Sequence, residues 1–336
     1  MTASAALEIR PQAGPQEAFL ASPADIAIYG GAAGAGKTWA ELMEPLRHLQ
    51  TVPNFGAVIF RRTSPQIKNE GGLWDESTKL YPLLGAEPRS SVTEWVFPPH
   101  GNKVKFTHLE HEKNIYDHQG AQYPLICFDE LTHFTEGQFE YLLSRNRSTC
   151  GVRPYIRATT NPDPDSWVRQ FIDWWIGPDG LPVIERSGVL RWYYRIGDDR
   201  VWGDTKEELV AQYGEQFTNP ETGEITPPMS VTFIAASIYD NKELLRKDPG
   251  YLAKLKSLPR VERERLLGGN WNVRAAAGTV FPRDSFGIVE APPSDSLAVV
   301  RAWDFAGTPG GGDWTVGVRL SKDAQGYYYV EHVTRD

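Results

Sequence analysis

The sequence has few cysteines, no long apolar run and no secretory signal, and each absence argues against a class of protein. Only two cysteines, Cys127 and Cys150, occur among 336 residues. Cys127 lies in an apolar run, which favours a small buried side chain in reducing cytoplasm. No apolar run approaches the roughly 18 residues of a membrane-spanning helix, and the N-terminus lacks a basic-then-apolar pattern. We therefore expect a cytoplasmic protein that does not span a membrane.

An excess of basic residues is also missing. The formal net charge of −8 argues against a generic basic coat for nucleic acid, because such binding depends on cations that face phosphates. A few local cationic contacts with DNA are compatible with this charge. Hydrophobic residues at 40% and charged residues at 23% are typical of a globular protein, and the length suits one large or two ordinary domains.

A glycine-rich motif follows the first predicted strand. Residues 31–38 fit the phosphate-loop pattern G-x-x-x-x-G-K-[ST], and a helix is predicted over 37–50, with Pro45 expected to kink or shorten it. Backbone N–H groups of such a loop encircle phosphate oxygens, and the helix N-terminus adds partial positive charge. Lys37 is predicted to reach the β- and γ-phosphates of ATP, and the Thr38 hydroxyl to bind Mg²⁺. The predicted nucleotide-binding residues of the loop are Gly31, Ala32, Ala33, Gly34, Ala35, Gly36, Lys37 and Thr38.

Two adjacent acids end the apolar run 124–128. Asp129 and Glu130 would lie at the carboxyl edge of a strand, where ligands bind in open α/β sheets. Asp129 is predicted to hold Mg²⁺ through water. Glu130 is predicted to orient and deprotonate the attacking water, the role of a general base. Because a kinase does not need to activate water, Glu130 favours ATP hydrolysis.

Three weaker features accompany these motifs. Gln16 lies upstream of the loop, where its amide could contact the adenine edge, although a surface glutamine is the alternative. Thr160 and Asn161 end the next apolar strand, which would bring them near the γ-phosphate; a simple turn before proline is the alternative. Arg145 or Arg147, on a predicted helix, could neutralise charge on the transferred phosphoryl group, or each could be a salt-bridged surface residue.

Apolar and β-branched runs alternate with helical stretches in the N-terminal part of the chain. Predicted strands lie at 24–30, 57–61, 94–97, 103–109, 125–128 and 155–160. Such alternation predicts an α/β fold with a layered, largely parallel sheet. The stretch 205–268 is predicted to be helical, because Tyr251, Leu252, Leu255 and Leu258 recur at helical spacing.

The character of the chain changes after residue 271. The run 272–280 has several small residues and no amphipathic period, which predicts a linker. Beyond it, strands predicted at 297–305, 315–320 and 327–333 are separated by turns rich in glycine and aspartate. This pattern predicts an antiparallel meander that opens a second domain.

Several of these stretches resemble successive motifs of the large terminase subunits of tailed bacteriophages. They lie at 30–38, 57–63, 128–134, 144–148 and 160–162, and the resemblance continues at 240–241, 266–271 and 303–305. It therefore covers nearly the whole chain in order. It implies a DNA-packaging ATPase core of the RecA/ASCE-like P-loop class (1–205), a small helical lid (206–271), the linker (272–280) and the first strands of an RNase H-like nuclease domain (281–336).

The resemblance also implies roles and partners. Thr160 and Asn161 match a motif that couples hydrolysis to movement, and Arg145 or Arg147 matches a region that contacts the nucleotide of a neighbouring subunit. Asp304 matches the first nuclease carboxylate, which would bind Mg²⁺ or Mn²⁺. The implied partners are double-stranded DNA, the capsid portal and a small terminase subunit, with a homo-oligomeric ring on the portal in the host cytoplasm.

The sequence departs from the family pattern in three places. Alanines occupy loop positions where some relatives carry an arginine, so any arginine finger must come from elsewhere. Asn270 stands where an acid is usual, and the chain ends at Asp336, before the rest of a nuclease domain, so a poor nuclease is expected. The alternatives are a superfamily DNA helicase or translocase, a P-loop kinase, and an assembly platform that binds nucleotide without motor activity.

Overall fold

The computed structural model describes residues 9–274, 286–292, 296–305 and 315–335. Contacts divide the chain into two compact units, Met1–Arg274 and Ala275–Asp336. The division falls within the predicted linker 272–280, of which residues 275–280 lie outside the described ranges. No helix in the described part of the chain is long and apolar enough to cross a lipid bilayer.

Ten strands of the first unit form one mixed sheet. They are β1 (Ile26–Gly31), β2 (Gly56–Arg61), β3 (Glu87–Arg89), β4 (Glu94–Phe97), β5 (Asn102–His108), β6 (Leu125–Phe128), β7 (Tyr155–Thr160), β8 (Arg191–Ile196), β9 (Asp199–Gly203) and β10 (Met229–Ala236). Their spatial order is β3-β4-β5-β2-β6-β7-β1-β10-β8-β9. The six strands from β5 to β10 in this order run parallel, and antiparallel pairs flank them. The predicted α/β class with a largely parallel sheet is confirmed.

Helices pack against this sheet and connect its strands. They are α1 (Pro15–Ala21), α2 (Lys37–Met43), α3 (Leu46–Leu49), α4 (Ser64–Lys68), α5 (Leu73–Leu80), α6 (Glu136–Leu143), α7 (Trp167–Phe171), α8 (Lys206–Tyr213), α9 (Lys242–Lys247), α10 (Gly250–Lys256) and α11 (Arg260–Leu266). The helix predicted over 37–50 is divided at Pro45 into α2 and α3. This division is expected, because proline lacks an N–H and its ring clashes with the preceding turn.

The prediction of a helical stretch over 205–268 is wrong for β10. This strand lies in the sheet between β1 and β8, and most of its residues are buried. Its first five residues, Met229 to Phe233, alternate apolar and polar side chains. This is the period-two pattern of a strand, and the prediction of one long helical stretch overlooked it. Residues 206–271 therefore contain a strand of the main sheet as well as α8 to α11.

The second unit contains a three-stranded antiparallel sheet in the order β11 (Ala298–Asp304), β12 (Val316–Lys322) and β13 (Tyr328–Arg335). These strands match the meander predicted from the sequence. Asp304 is the last residue of β11 and pairs with Val316 in the ladder.

Candidate nucleotide-binding site

The glycine-rich loop joins the buried strand β1 to the start of α2. Gly31 has φ of 124°, and a Cβ there would lie 2.2 Å from the carbonyl oxygen of Ala236, so only glycine fits. Ala32 N–H donates to that same carbonyl at 3.0 Å, and Ala33 N–H donates to the carbonyl of Leu266 at 2.6 Å. The end of β10 and the end of α11 therefore hold the first half of the loop.

A network of side-chain amides holds the second half. Gln16 is 3% exposed. Its Nε2 donates to the Gly36 carbonyl at 3.0 Å, and its Oε1 accepts from Gln12 N–H at 2.7 Å. Asn241 Nδ2 donates to the Gly34 carbonyl at 2.7 Å and its Oδ1 accepts from Gln12 Nε2 at 2.9 Å. Gln16 thus positions the loop, and its adenine contact stays a prediction.

Lys37, Asn161 and Glu130 form one chain of hydrogen bonds. Lys37 Nζ donates to the Ala32 carbonyl at 2.8 Å and to Asn161 Oδ1 at 2.8 Å. The other end of the Asn161 amide, Nδ2, donates to Glu130 Oε1, and Asn161 N–H donates to Glu130 Oε2 at 3.0 Å. Burial lowers the pKa of Lys37, and the carboxylates of Glu130 and Asp129 oppose that change. One amide therefore joins the predicted phosphate-binding lysine to the predicted general base.

Asp129 lies directly beyond β6 with both of its oxygens occupied. Thr159 Oγ1 donates to Oδ1 at 2.8 Å, and Arg61 Nη1 lies 3.0 Å from Oδ2. Thr159 Oγ1 also accepts from Glu130 N–H at 3.1 Å. Sequence reasoning gave Arg61 no role in the site, although it ends the predicted strand 57–61.

The predicted Mg²⁺ ligands, Thr38 and Asp129 acting through water, are oxygen donors, the type that Mg²⁺ prefers. Asp129 follows β6, and Thr38 is the second residue of α2. Within the described ranges, no group of three or more His, Cys, Asp or Glu could form a metal cage. Mg²⁺ is commonly held by one or two protein oxygens together with water and substrate phosphates, so a pair of ligands suits it.

Thr160 lies beside the hydrogen-bonded chain but does not join it. Its hydroxyl donates to the Asn161 carbonyl at 3.1 Å and approaches Thr132 Oγ1 at 3.4 Å. Glu130 itself has φ of 63° and ψ of 67°, a left-handed conformation that non-glycine residues seldom adopt. Unusual backbone angles of this kind recur at active sites.

The structure places Arg145 and Arg147 away from the loop of their own chain. They follow α6 and do not lie on a helix as predicted. The Arg145 carbonyl accepts from Tyr123 N–H at 3.1 Å, and Arg147 Nη2 donates to the Ala121 carbonyl at 3.3 Å. Both contacts lie before β6, whereas Asp129 follows that strand. The two arginines are therefore at the opposite edge of the sheet, and a contact with a neighbour's nucleotide stays a prediction.

A family comparison decides the identity of the chain. Residues 28–288 match the model of the terminase large subunit, T4likevirus-type, N-terminal. The chain belongs to the terminase large subunit family. Curated protein sequences gave no match to this large subunit.

Solved structures of phage terminases align with this chain, and one of them has a TM-score above 0.5. The large terminase of a thermophilic bacteriophage aligns with a TM-score of 0.53 over 97% of this chain and 69% of its own, at 14% identity. The same phage's protein in complex with ADP aligns with a TM-score of 0.48 over 96% and 68%, at 14% identity. The large terminase ATPase domain of Thermus phage P74-26 aligns with a TM-score of 0.48 over 79% of this chain and all of its own, at 14% identity. At such identities the likeness concerns the fold alone.

Proposed function

We propose that this terminase large subunit hydrolyses ATP with Mg²⁺ at the glycine-rich loop and uses the energy to translocate double-stranded DNA into a procapsid. The observation that carries the ATPase proposal is the hydrogen-bonded chain from Lys37 through Asn161 to Glu130. It joins a phosphate ligand to a water-activating carboxylate at one edge of the sheet. A site that only bound nucleotide would need no such carboxylate.

The chemistry follows from what each side chain holds. A phosphate oxygen is a stronger acceptor for Lys37 than the neutral amide oxygen of Asn161, so ATP would draw the lysine away from that amide. Glu130 would then take a proton from the water that attacks the γ-phosphorus, while the bond from that phosphorus to the bridging oxygen breaks. Mg²⁺, held by Thr38 and, through water, by Asp129, would neutralise phosphate charge. Asn161 would keep both of its bonds to Glu130 in this step and so hold the base in place beside the phosphate site.

The experiment is to compare Lys37→Ala and Glu130→Gln with the wild-type protein. Lys37→Ala should lose nucleotide binding, and Glu130→Gln should keep binding and lose turnover. Glu110→Gln, at an exposed position, serves as the matched control and should behave like the wild type. Wild-type rates of hydrolysis in Glu130→Gln would refute the assignment of the base.

The motor role is proposed from family membership. A homo-oligomeric ring on the capsid portal, with a small terminase subunit that selects the DNA, is the proposed assembly in the host cytoplasm. DNA-stimulated phosphate release would separate a motor from a nucleotide-binding platform. Strand separation by the purified protein would instead favour the helicase alternative.

For the second unit we propose the start of an RNase H-like domain with weak nuclease activity. Two-metal cleavage needs several carboxylates around ions roughly 3.5–4 Å apart. Near Asp304 in sequence, Asp323 accepts hydrogen bonds from Gln325 N–H, Tyr327 N–H and the Tyr329 hydroxyl, and Glu331 pairs with Arg319 at 2.8 Å. These two acids are therefore already engaged. Robust plasmid cleavage with Mg²⁺ or Mn²⁺ that disappears in Asp304→Ala would contradict this proposal.

A further inference from the structure

An arginine of the same chain lies beside the predicted coupling motif. Arg265, near the end of α11, donates from Nε at 3.1 Å and from Nη2 at 2.9 Å to the carbonyl oxygen of Pro162. Pro162 directly follows Asn161, whose amide oxygen lies 2.8 Å from Lys37 Nζ. Unlike Arg145 and Arg147, this guanidinium is at the phosphate edge of the sheet.

The backbone around Arg265 is fixed to the glycine-rich loop. The next residue, Leu266, accepts the hydrogen bond from Ala33 N–H at 2.6 Å. Gly269 lies so close that a Cβ there would be 3.7 Å from Ala32 N. Arg265 therefore bridges two segments of the nucleotide site, the loop through its neighbours and the coupling motif through its own side chain.

Arg265 makes two long ion pairs. Asp163 Oδ1 and Glu262 Oε1 each lie 3.8 Å from its guanidinium, so these carboxylates offset part of its charge without a short hydrogen bond to it. Its side chain is 27% exposed, so it is neither sealed in the core nor free in solvent. By contrast, Arg61 lies 3.0 Å from Asp129 Oδ2. The Pro162 carbonyl that Arg265 contacts carries no charge and is a weaker acceptor than a phosphate oxygen.

We propose that Arg265 is a catalytic residue of the ATPase site, supplied in cis. Its guanidinium exchanges the Pro162 carbonyl for the γ-phosphate of ATP and neutralises the charge that spreads over the phosphoryl oxygens as water attacks. The bond from water to phosphorus forms, the bond to the bridging oxygen breaks, and the proton goes to Glu130. Arg265 transfers no atom. This inference rests on the proposed ATPase function.

The test compares Arg265→Ala and Arg265→Lys with Arg263→Ala, a control at an exposed position on the same helix. ATP turnover is measured, and the affinities for ADP and ATPγS are measured by displacement of a fluorescent nucleotide. Arg265→Ala should lower kcat at least about 100-fold. In other phosphoryl-transfer enzymes, an arginine that neutralises charge on the transferred phosphoryl group raises kcat about 1,000-fold to 100,000-fold. It should weaken ATPγS binding about tenfold and leave ADP binding within about twofold, because ADP lacks the γ-phosphate. Arg265→Lys should restore part of the rate, and Arg263→Ala should match the wild type.

Two results would overturn the catalytic role of Arg265, and a third would overturn its action in cis. One is a kcat for Arg265→Ala within about threefold of the control. The other is an equal loss of ADP and ATPγS affinity in both Arg265 variants, which would indicate damage to the loop instead. Mixtures of Arg265→Ala with Glu130→Gln should show no recovery, because a cis residue cannot serve a neighbour, and recovery would refute the cis assignment. If Glu130→Gln alone hydrolysed ATP normally, the proposed ATPase chemistry would fail before this inference.

Discussion

Asn161 joins the phosphate-binding lysine to the general base, so Asn161→Ala should impair stability and turnover while sparing the binding of ADP. The substitution removes the bond from Lys37 Nζ to Asn161 Oδ1 and the bond from Asn161 Nδ2 to Glu130. Two contacts survive. Ala32 still accepts from Lys37, and the backbone N–H of residue 161 still donates to Glu130 Oε2.

The size of the effect can be worked from these contacts. Each lost hydrogen bond involves a charged group and contributes about 1.5–3 kcal/mol. Attraction between Lys37 and Glu130, no longer separated by the amide, offsets part of the loss, which leaves about 2 kcal/mol. For a unit of this size, that change lowers the melting temperature by about 4–8 °C.

Turnover should respond more strongly than stability. A general base contributes about 100-fold to 10,000-fold, and Glu130 would lose one of the two bonds that orient it, so kcat should fall about 100-fold. Binding of ADP should not weaken, because Lys37 must leave the Asn161 amide before it can reach a phosphate. Melting curves, steady-state hydrolysis and displacement of a fluorescent nucleotide measure the three quantities.

Asn161→Asp is the matched control. It keeps an acceptor for Lys37, removes the donor to Glu130 and places a second carboxylate beside the first. Because like charges favour the protonated form, the acid limb of the pH–rate profile should move to higher pH. Unchanged kcat in Asn161→Ala, or loss of ADP binding equal to that of Lys37→Ala, would refute the reasoning.

Glu41 is fully buried with no hydrogen-bond partner in the described ranges, and burial raises the pKa of its carboxyl well above the usual range. Wild-type stability should therefore fall as pH rises from about 5, and Glu41→Met should raise the melting temperature by several degrees, more at pH 9 than at pH 5. Asn241→Ala removes the bond to the Gly34 carbonyl and should weaken ADP and ATP binding about equally, by roughly fivefold, in the displacement assay. If Arg145 acts on a neighbour, Arg145→Ala mixed with Glu130→Gln should recover some hydrolysis, and no recovery at any ratio would exclude that role.

The loop and the acid pair could be predicted because their chemistry depends on short runs of sequence. A phosphate loop needs glycine at positions where a side chain would collide, as at Gly31, and a lysine at fixed spacing. The run 125–128 is buried along its whole length, so it is apolar throughout and ends at Asp129. Because Asp129 and Asn161 each follow the carboxyl end of a parallel strand, they lie at one edge of the sheet.

The positions of Arg145, Arg147 and Arg265 in the fold could not be predicted in the same way. Arg145 lies close to Glu130 in sequence, which suggests that the two side chains also lie close together in space. However, α6 lies between them and returns the chain toward the opposite edge, as the connection between parallel strands must do. Residues after such a helix lie near the start of the next strand, so Arg145 meets Tyr123 and not the loop. Arg265 lies far from the loop in sequence and reaches it only through long-range packing.

Among the elements that sequence reasoning missed, β10 matters most for the glycine-rich loop. Because it pairs with β1, its last residue, Ala236, accepts the hydrogen bond from Ala32 and the chain continues directly into Asn241, which holds Gly34. Residues 236–266 therefore contact the loop at their start, through Asn241, and at their end, through Leu266. Any shift of the loop on phosphate binding must strain or move these contacts. Helices α9 to α11, which lie between them, are thus attached to the loop at both of their ends.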